Sequence, residues 1–557
     1  MSVIVTLGTI AVLLLGYLFY GRYLAKKWGI DPARETPSQD CFDGKDYVPT
    51  PPVVVMGHHF ASIAGAGTII GTVKAAAFGW LPVLLWIVLG SVFFGAAHDF
   101  GALFASLRHK GRSLGRVLRE SVGEKAQRVF TAFALLVLVL LVACFTNIVA
   151  NTFASPAAEE LVSVGMGQVS AQAGAGTASI LFVLVGLLFG LLVFRKNLPM
   201  IPMTVLCLLL MAASVWAGLN FGLNLNYYIW VALIAAYLIA ASLAPVWALL
   251  QPRDFLSAFL LWGMMLFSLI VLLIPALTGK TAPMPAVTGE TFSNGALFSM
   301  LTVIVFGGAV SGYNALIASG TTAKQLSNEK HARMVSVGSV MLNALLALIV
   351  LLAVSSLSVT AAASPLDAFA SGVAAAVSGN GLVYSLILLT ASVFALTTLD
   401  TCTRLARYLF AELFNPEGRR LKKLEGAQRF FATPAVGTVI LVLLGCGLGL
   451  VRDLDRLWGL FGAANLLLAG LAMMIAAIWL RSEGKQTAML VVPMFVLLAA
   501  ALGFLVRNAV VTLQSIAAWV DYLSLGCSAV LAVLAVILLI QGLPALFGKK
   551  KDEAAED

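Results

Sequence analysis

The chain has 557 residues, 60% of them hydrophobic and 11% charged, where soluble domains carry about 25% charged residues. A water-soluble core cannot use that much apolar material without exposing it, so a soluble globular protein is excluded and a lipid-embedded chain is indicated. The net charge of +9 does not point to nucleic acid, because the basic residues sit in short loops between apolar runs and act as topology signals.

The opening run, MSVIVTLGTIAVLLLGYLFYGRYLAKKW, carries its Lys and Arg after the apolar stretch and has no small-residue cleavage site. It reads as a first membrane helix with its N-terminus outside, not as a signal peptide. Residues 31–52 are polar, with Asp31, Glu35, Asp40, Asp43 and Asp46 among prolines, and read as a solvated cytoplasmic loop. At roughly 20 apolar residues per crossing, about fifteen spans follow. They begin near Val3, Val53, Leu81, Phe130, Leu181, Ile201, Tyr227, Phe255, Phe292, Met334, Leu382, Pro434, Leu457, Ala488 and Ile516.

Loop charge fixes the expected direction of each span. Arg108, Lys110, Arg112, Arg116, Arg119, Lys125 and Arg128 form one basic cluster; Lys324, Lys330 and Arg333 form a second. Arg419, Arg420, Lys422, Lys423 and Arg429 form a third, and three lysines at 549–551 lie near the C-terminus. The spans between clusters are even in number, and the alternate loops 155–177 and 360–380 hold no Lys or Arg. The expectation is a cytoplasmic C-terminus. The six cysteines are scattered without a CxxC pair, which fits small packing residues better than a disulfide framework or a metal cluster.

Two spans are interrupted by small residues and hydroxyls: GHHFASIAGAGTIIGT (57–72) and FGGAVSGYNALIASGTT (306–322). Lipid penalises bare backbone N–H and C=O groups by several kcal/mol each, so a broken helix belongs where it lines a polar cavity. Half-helix N-termini there attract carboxylates, and free carbonyls coordinate cations. Ser62, Gly65, Ala66 and Gly67 of the first stretch, with Gly307, Gly308, Ser311, Gly312 and Asn314 of the second, are the expected substrate-binding residues. By the loop charges the two spans run in opposite directions, as an inverted repeat with a midplane site requires.

Buried charge marks the expected coupling residues. His58 and His59 precede the first break; neighbours on a helix point about 100° apart, so they do not share one metal. Asp99 lies within an apolar stretch, where an acid costs about 2.5–3.5 kcal/mol unless partnered. Its neighbour His98 lies on another face, leaving His58, His59 or Arg108 as expected partners. Asp400 is flanked by Thr397, Thr398, Thr401 and Thr403, and pairs in sequence with Arg404 or Arg407. An interfacial ion pair and a role in ion or proton transfer are both open to it. No GxSxG, HExxH or Walker A sequence occurs in the required context, so no catalytic residue is assigned, and the pattern argues against ATP-driven pumping.

Six stretches carry a family likeness: GHHFASIAGAG (57–67), FGAAHDFGALFASLRHKGRSLG (94–115), APVWALLQPRDFLSAFL (244–260), SGYNALIASGTTAKQLSNE (311–329), FALTTLDTCTRLARY (394–408) and LFGAANLLLAGLA (460–472). Through them the chain resembles the carbon starvation (CstA) family of bacterial peptide and pyruvate transporters. The resemblance implies an all-α polytopic membrane protein whose core is similar to the amino-acid/polyamine/organocation (LeuT-like) transporters: an inverted repeat with two discontinuous helices and extra helices around it. It implies an N-terminal transmembrane region over 1–380, a five-helix C-terminal region over 381–545 and a charged tail over 546–557. The span near Leu382 would be core helix eight, whose hydroxyls ligate the ion in sodium-coupled relatives, with Thr397, Thr398 and Thr401 suitably placed. Thr68 and Thr72 stand where many relatives carry Gly-Pro pairs, so a softer break is expected.

The expected function is secondary import of peptides or a small carboxylate such as pyruvate across the bacterial inner membrane during carbon starvation, coupled to H+ or Na+. A membrane nutrient receptor and a passive channel are the alternatives. The sequence assigns no organic cofactor, no resident metal and no nucleic-acid partner; its partners are the small-molecule substrate and the lipid bilayer.

Overall fold

The computed structural model describes residues 3–154, 163–166, 170–277, 284–288, 310–355, 364–417, 421–451, 453–514, 516 and 519–548. The described chain is helical apart from one antiparallel pair, β1 (Ser163–Met166) with β2 (Phe221–Asn224), in register from Ser163 opposite Asn224 to Met166 opposite Phe221. In chain order the main helices are α1 (Val3–Trp28), α2 (Pro52–Ile63), α3 (Ala66–Ala75), α4 (Trp80–Arg108), α5 (Glu124–Phe153) and α6 (Ala171–Arg195). They continue with α7 (Met200–Asn220), α8 (Tyr227–Leu243), α9 (Leu250–Leu277), α10 (Gly312–Gly320), α11 (Glu329–Ser355) and α12 (Pro365–Ala375). Last come α13 (Gly381–Phe414), α14 (Pro434–Gly449), α15 (Leu454–Ser482), α16 (Ala488–Gln514) and α17 (Trp519–Phe547).

Among the described residues 11 helices are long and apolar enough to cross a membrane, or up to 13 if each bent pair is one span; α8, with 17 residues, falls just short. Each expected span corresponds to one of these helices except that near Phe292, whose first half lies outside the described residues. The turns punctuate them by familiar chemistry. Ser170, Asn226, Ser364 and Asn380 each accept a backbone N–H at a helix start, satisfying donors that have no partner within the helix. Pro52 opens α2, where its missing N–H costs nothing.

Burial separates an inner set of helices from an outer one. The most apolar stretch of α15 is 100% buried, whereas that of α7 is 17% buried and that of α17 is 22% buried. In lipid no hydrophobic force drives helices together, so close packing of small residues carries the interfaces. A Cβ on Gly445 of α14 would lie 2.4 Å from Val142 on α5, and one on Gly190 of α6 would lie 2.5 Å from the Ala248 carbonyl. α13 packs along α5, α8 and α12, while α14 and α15 also pack on α5.

One face gathers the basic loops. There Arg108 donates to the Gly29 carbonyl (2.9 Å) and pairs with Glu329 (2.9 Å), and Lys485 donates to the Trp28 carbonyl. The expectation of a solvated loop over 31–52 is half right. Asp31, Glu35, Asp40 and Asp43 are exposed, but Thr36, Ser38 and Thr50 are buried. Ser38 donates to the Leu326 carbonyl (2.9 Å), and the Val48 and Thr50 amides donate to the Lys324 and Gln325 carbonyls (3.2 and 3.0 Å). The segment therefore lies docked across the basic face as a cover.

Candidate functional site

The first break falls between α2 and α3, which meet at a 42° bend. Ala64 leaves the helical region (φ −87°, ψ 50°) and Gly65 is extended (φ −90°, ψ −170°). Small side chains allow this, but Gly65 is demanded by proximity: a Cβ there would lie 2.4 Å from Thr398 Oγ1 on α13. Thr68, one of the residues expected to soften the break, donates to Asn343 Oδ1 (2.7 Å) and ties the start of α3 to α11.

In the second stretch Ser311, extended at φ −139°, gives way to α10; the expected break before it falls on residues outside the described ones. Asn465 of α15 accepts the Tyr313 amide (2.9 Å) and donates to Ser311 Oγ (3.0 Å). A Cβ on Gly312 would lie 2.4 Å from the Asn465 carbonyl, so the half-helix starts in direct backbone contact with α15. α2 rises from the basic face toward its break, and α10 descends from its break to Thr321 and Lys324 on that same face. The two run in opposite directions, as the loop charges required.

The first break and the start of α10 open into one cavity. Ser62, Gly65, Gly67 and Thr68 line it from the first span, and Ser311, Tyr313 and Asn314 from the second; Phe145, Asn343, Thr398 and Phe461 help to close it. Its volume is about 40 Å³, room for a few waters. Tyr313 donates across it to the Thr398 carbonyl (3.1 Å). Of the expected substrate-binding set, Ser62, Gly65, Gly67, Ser311 and Asn314 are thus brought together. Ala66 and Gly312 are buried beside them, and Gly307 and Gly308 lie outside the described residues.

The two histidines one turn before the break diverge, as adjacent helix residues must. His58 Nδ1 bonds Asp254 Oδ2 (2.7 Å) with Nε2 3.3 Å from Thr321 Oγ1; His59 Nδ1 bonds Thr322 Oγ1 (2.8 Å) with Nε2 3.9 Å from Asp99 Oδ2. Both thus tie α2 to the residues that follow α10. Asp99 also accepts from His98 Nδ1 (2.6 Å), against the expectation that these neighbours face apart: the carboxylate folds back over its own helix. Arg108 is taken by Glu329 instead. Within this cluster His59 Nε2, His98 Nε2 and Asp99 Oδ2 are buried without a hydrogen bond. No group of three or more His, Cys, Asp or Glu side chains among the described residues is arranged to hold a metal ion.

Asp400 does not pair within its helix. Arg404 donates to the Ala241 and Ala244 carbonyls (2.7 and 2.8 Å). Asp400 instead meets Arg253 of α9 (3.1 Å) and Tyr237 of α8 (3.2 Å), and Arg253 also touches Asp254 (3.3 Å). A buried chain therefore runs from His58 through Asp254 and Arg253 to Asp400. Arg253 and Asp254 were missed as site residues, although two adjacent charges in ALLQPRDFLSAFL were a visible signal. Asn465 gave none, because nothing local distinguishes an Asn that caps a distant helix. Thr397 and Thr398 bond back to the Val393 and Phe394 carbonyls (both 3.0 Å), while Thr401 approaches Ser62 (3.5 Å).

Two further cavities lie on the same axis. α13 lines all three: Leu388 faces a cavity of about 820 Å³ on the face opposite the basic loops, Thr398 the break pocket, and Tyr408 a cavity of about 240 Å³ on the basic face. At 1.5 Å per residue these steps are roughly 15 Å each.

The sequence matches a family model described as Carbon starvation protein CstA over residues 1–379 and 356–503. The "Peptide transporter CstA" of Escherichia coli (strain K12) is 30% identical over 574 residues, covering 86% of this chain and 77% of its own. The "Pyruvate/proton symporter BtsT" of the same strain is 35% identical over 370 residues, covering 63% of this chain and 48% of its own. Among solved structures, a crystal structure of a manganese transporter from Eremococcus coleocola superposes with a TM-score of 0.52 at 12% identity, covering 90% of this chain and 98% of that one. That likeness concerns the fold alone, which is the LeuT-like inverted repeat with additional helices.

Proposed function

Because the chain belongs to the carbon starvation protein CstA family, we propose that it imports a carboxylate-bearing nutrient, a peptide or pyruvate, by proton-coupled alternating access when carbon is scarce. It is a multi-pass inner-membrane transporter, and its basic face is cytoplasmic by the positive-inside rule. The N-terminus then lies outside and the C-terminus inside.

One observation carries the reading: two oppositely directed half-helix starts share a single cavity. Their amide ends favour a carboxylate, and Ser62, Ser311 and Asn314 supply orienting hydrogen bonds. Gly307 and Gly308 belong to the same proposed site by sequence. A cavity of about 40 Å³ admits neither peptide nor pyruvate, so loading requires the helices around it to part. The wider outer cavity and the cover over the basic face fit a state closed toward the cytoplasm with its centre occluded.

The proton is carried by the His59–Asp99–His98 cluster. Its two imidazoles stand beside one buried carboxylate, and His59 Nε2, His98 Nε2 and Asp99 Oδ2 have no hydrogen-bond partner among the described residues. Asp400 joins the coupling through Arg253, which touches it and the Asp254 carboxylate bonded to His58. A sodium-coupled reading rests on Ser62, Thr397, Thr398 and Thr401, since three of these hydroxyl residues gather where α13 meets the first break.

Uptake into proteoliposomes under imposed proton or sodium gradients tests the proposal. Saturable, gradient-driven accumulation of labelled pyruvate or dialanine is expected. Flux that rises without saturation would mean a channel, and binding without flux would mean a receptor.

A further inference from the structure

The basic-face cavity lies beneath the docked segment 31–52 and shares α10 and α13 with the break pocket, through Ser319, Gly320, Leu405 and Tyr408. Its volume of about 240 Å³ falls below the ~300–1,000 Å³ of drug-sized pockets, which suits a ligand of few heavy atoms. Arg112, Arg116 and Lys324 line it against two carboxylates, Asp46 and Glu412.

Those carboxylates are already engaged. Asp46 accepts the Tyr408 hydroxyl (2.6 Å), and Glu412 accepts Ser113 Oγ (2.7 Å) and Gln127 Nε2 (2.9 Å). Arg116 Nε stands 3.8 Å from Glu412, outside hydrogen-bond range. Lys324 makes no salt bridge among the described residues; its Nζ lies 4.3 Å from the Tyr408 ring centre and 5.4 Å from that of Tyr47. Burial lowers the Lys324 pKa, and Asp46 opposes that shift. A part-buried ammonium set against ring faces, beside an arginine whose nearest carboxylate lies 3.8 Å away and already accepts two other hydrogen bonds, is a donor pair that an anion can engage.

We propose that this cavity is a second, release-side binding site for the carboxylate of the transported molecule, held by Lys324 and Arg116 and roofed by Asp46 and Tyr47. The proposal rests on the transporter reading above. A carboxylate leaving the break pocket meets these two cations about half a span nearer the cytoplasm, and it departs when the roof segment lifts.

Oriented proteoliposomes of the full chain test it, with initial rates for labelled pyruvate measured from each face. Lys324→Gln and Arg116→Gln are each expected to raise the cytoplasmic half-saturation concentration about tenfold, the loss of one charge-assisted contact. The external value should move far less, and Lys324→Arg should stay near wild type. Equal shifts from both faces, or none, would overturn the proposal and leave Lys324 as a latch for segment 31–52. If the wild-type chain carries neither pyruvate nor dialanine, it is the transporter reading that fails. Calorimetric titration of pyruvate into the detergent-solubilised chain then decides the site alone. Binding weakened about tenfold by Lys324→Gln, but kept by Lys324→Arg, upholds it; unchanged or absent binding ends it.

Discussion

Asp99 and Asp400 are both buried acids, yet their partners give them different chemistry. Asp400 faces Arg253, whose charge is permanent, so a proton reaching it must break an ion pair. Removing one partner of a buried pair typically costs about 3–5 kcal/mol. Asp400→Asn is therefore expected to lower the melting temperature of the detergent-solubilised protein, and Arg253→Met should lower it as much. Among the described residues Asp99 is met by two imidazoles, His59 and His98, and by no arginine or lysine. Asp99→Asn should abolish proton-driven accumulation while sparing exchange of internal for external substrate, which counterflow measures. Retained accumulation would remove Asp99 from the coupling step. The need for a partner at Asp99 was legible in the sequence; its identity was not, because side-chain reach across helices depends on how the helices pack.

The breaks belong to the scale of elements. Gly65 and Gly312 sit where one backbone presses on another helix, but their neighbours differ in what can yield. At Gly65 the obstacle is the tip of a threonine side chain, and overpacking of this kind costs about 1–3 kcal/mol. Gly65→Ala is expected to lose both stability and uptake, and Thr398→Ala in the same chain should restore stability; a double-mutant cycle on melting temperatures reads this coupling. At Gly312 the obstacle is the α15 backbone, which no side-chain truncation relieves. Gly312→Ala should therefore resist rescue by any change at Asn465. The small-residue runs announced these breaks locally. That α13 and α15 are the elements pressing on them became visible only in three dimensions.

For the whole molecule, the alternation of basic and uncharged loops is the basis of the proposed orientation of the spans. A cysteine at Lys45, exposed on the basic face, should react with an impermeant maleimide only after the cells are permeabilised. A cysteine at the exposed Gln514, at the far end of α16, should react in intact cells. The reverse pattern would invert the proposed direction of transport. α13 runs as one axis from the cavity opposite the basic loops, past the break pocket, to the cavity on the basic face, and in the proposed transport cycle substrate would follow that line.

The sequence by itself determined the solvent, the spans and the two places where an apolar run gives way to small residues and hydroxyls, and it supplies the proposed directions. Each of these is a local property: apolar length, loop charge or a run of small residues. Tertiary structure alone decided that Arg253 and not Arg404 answers Asp400, that Asn465 caps α10, and that residues 31–52 cover the basic face. Those contacts join residues distant in the chain, and their geometry is fixed by how the helices pack, which no local pattern encodes.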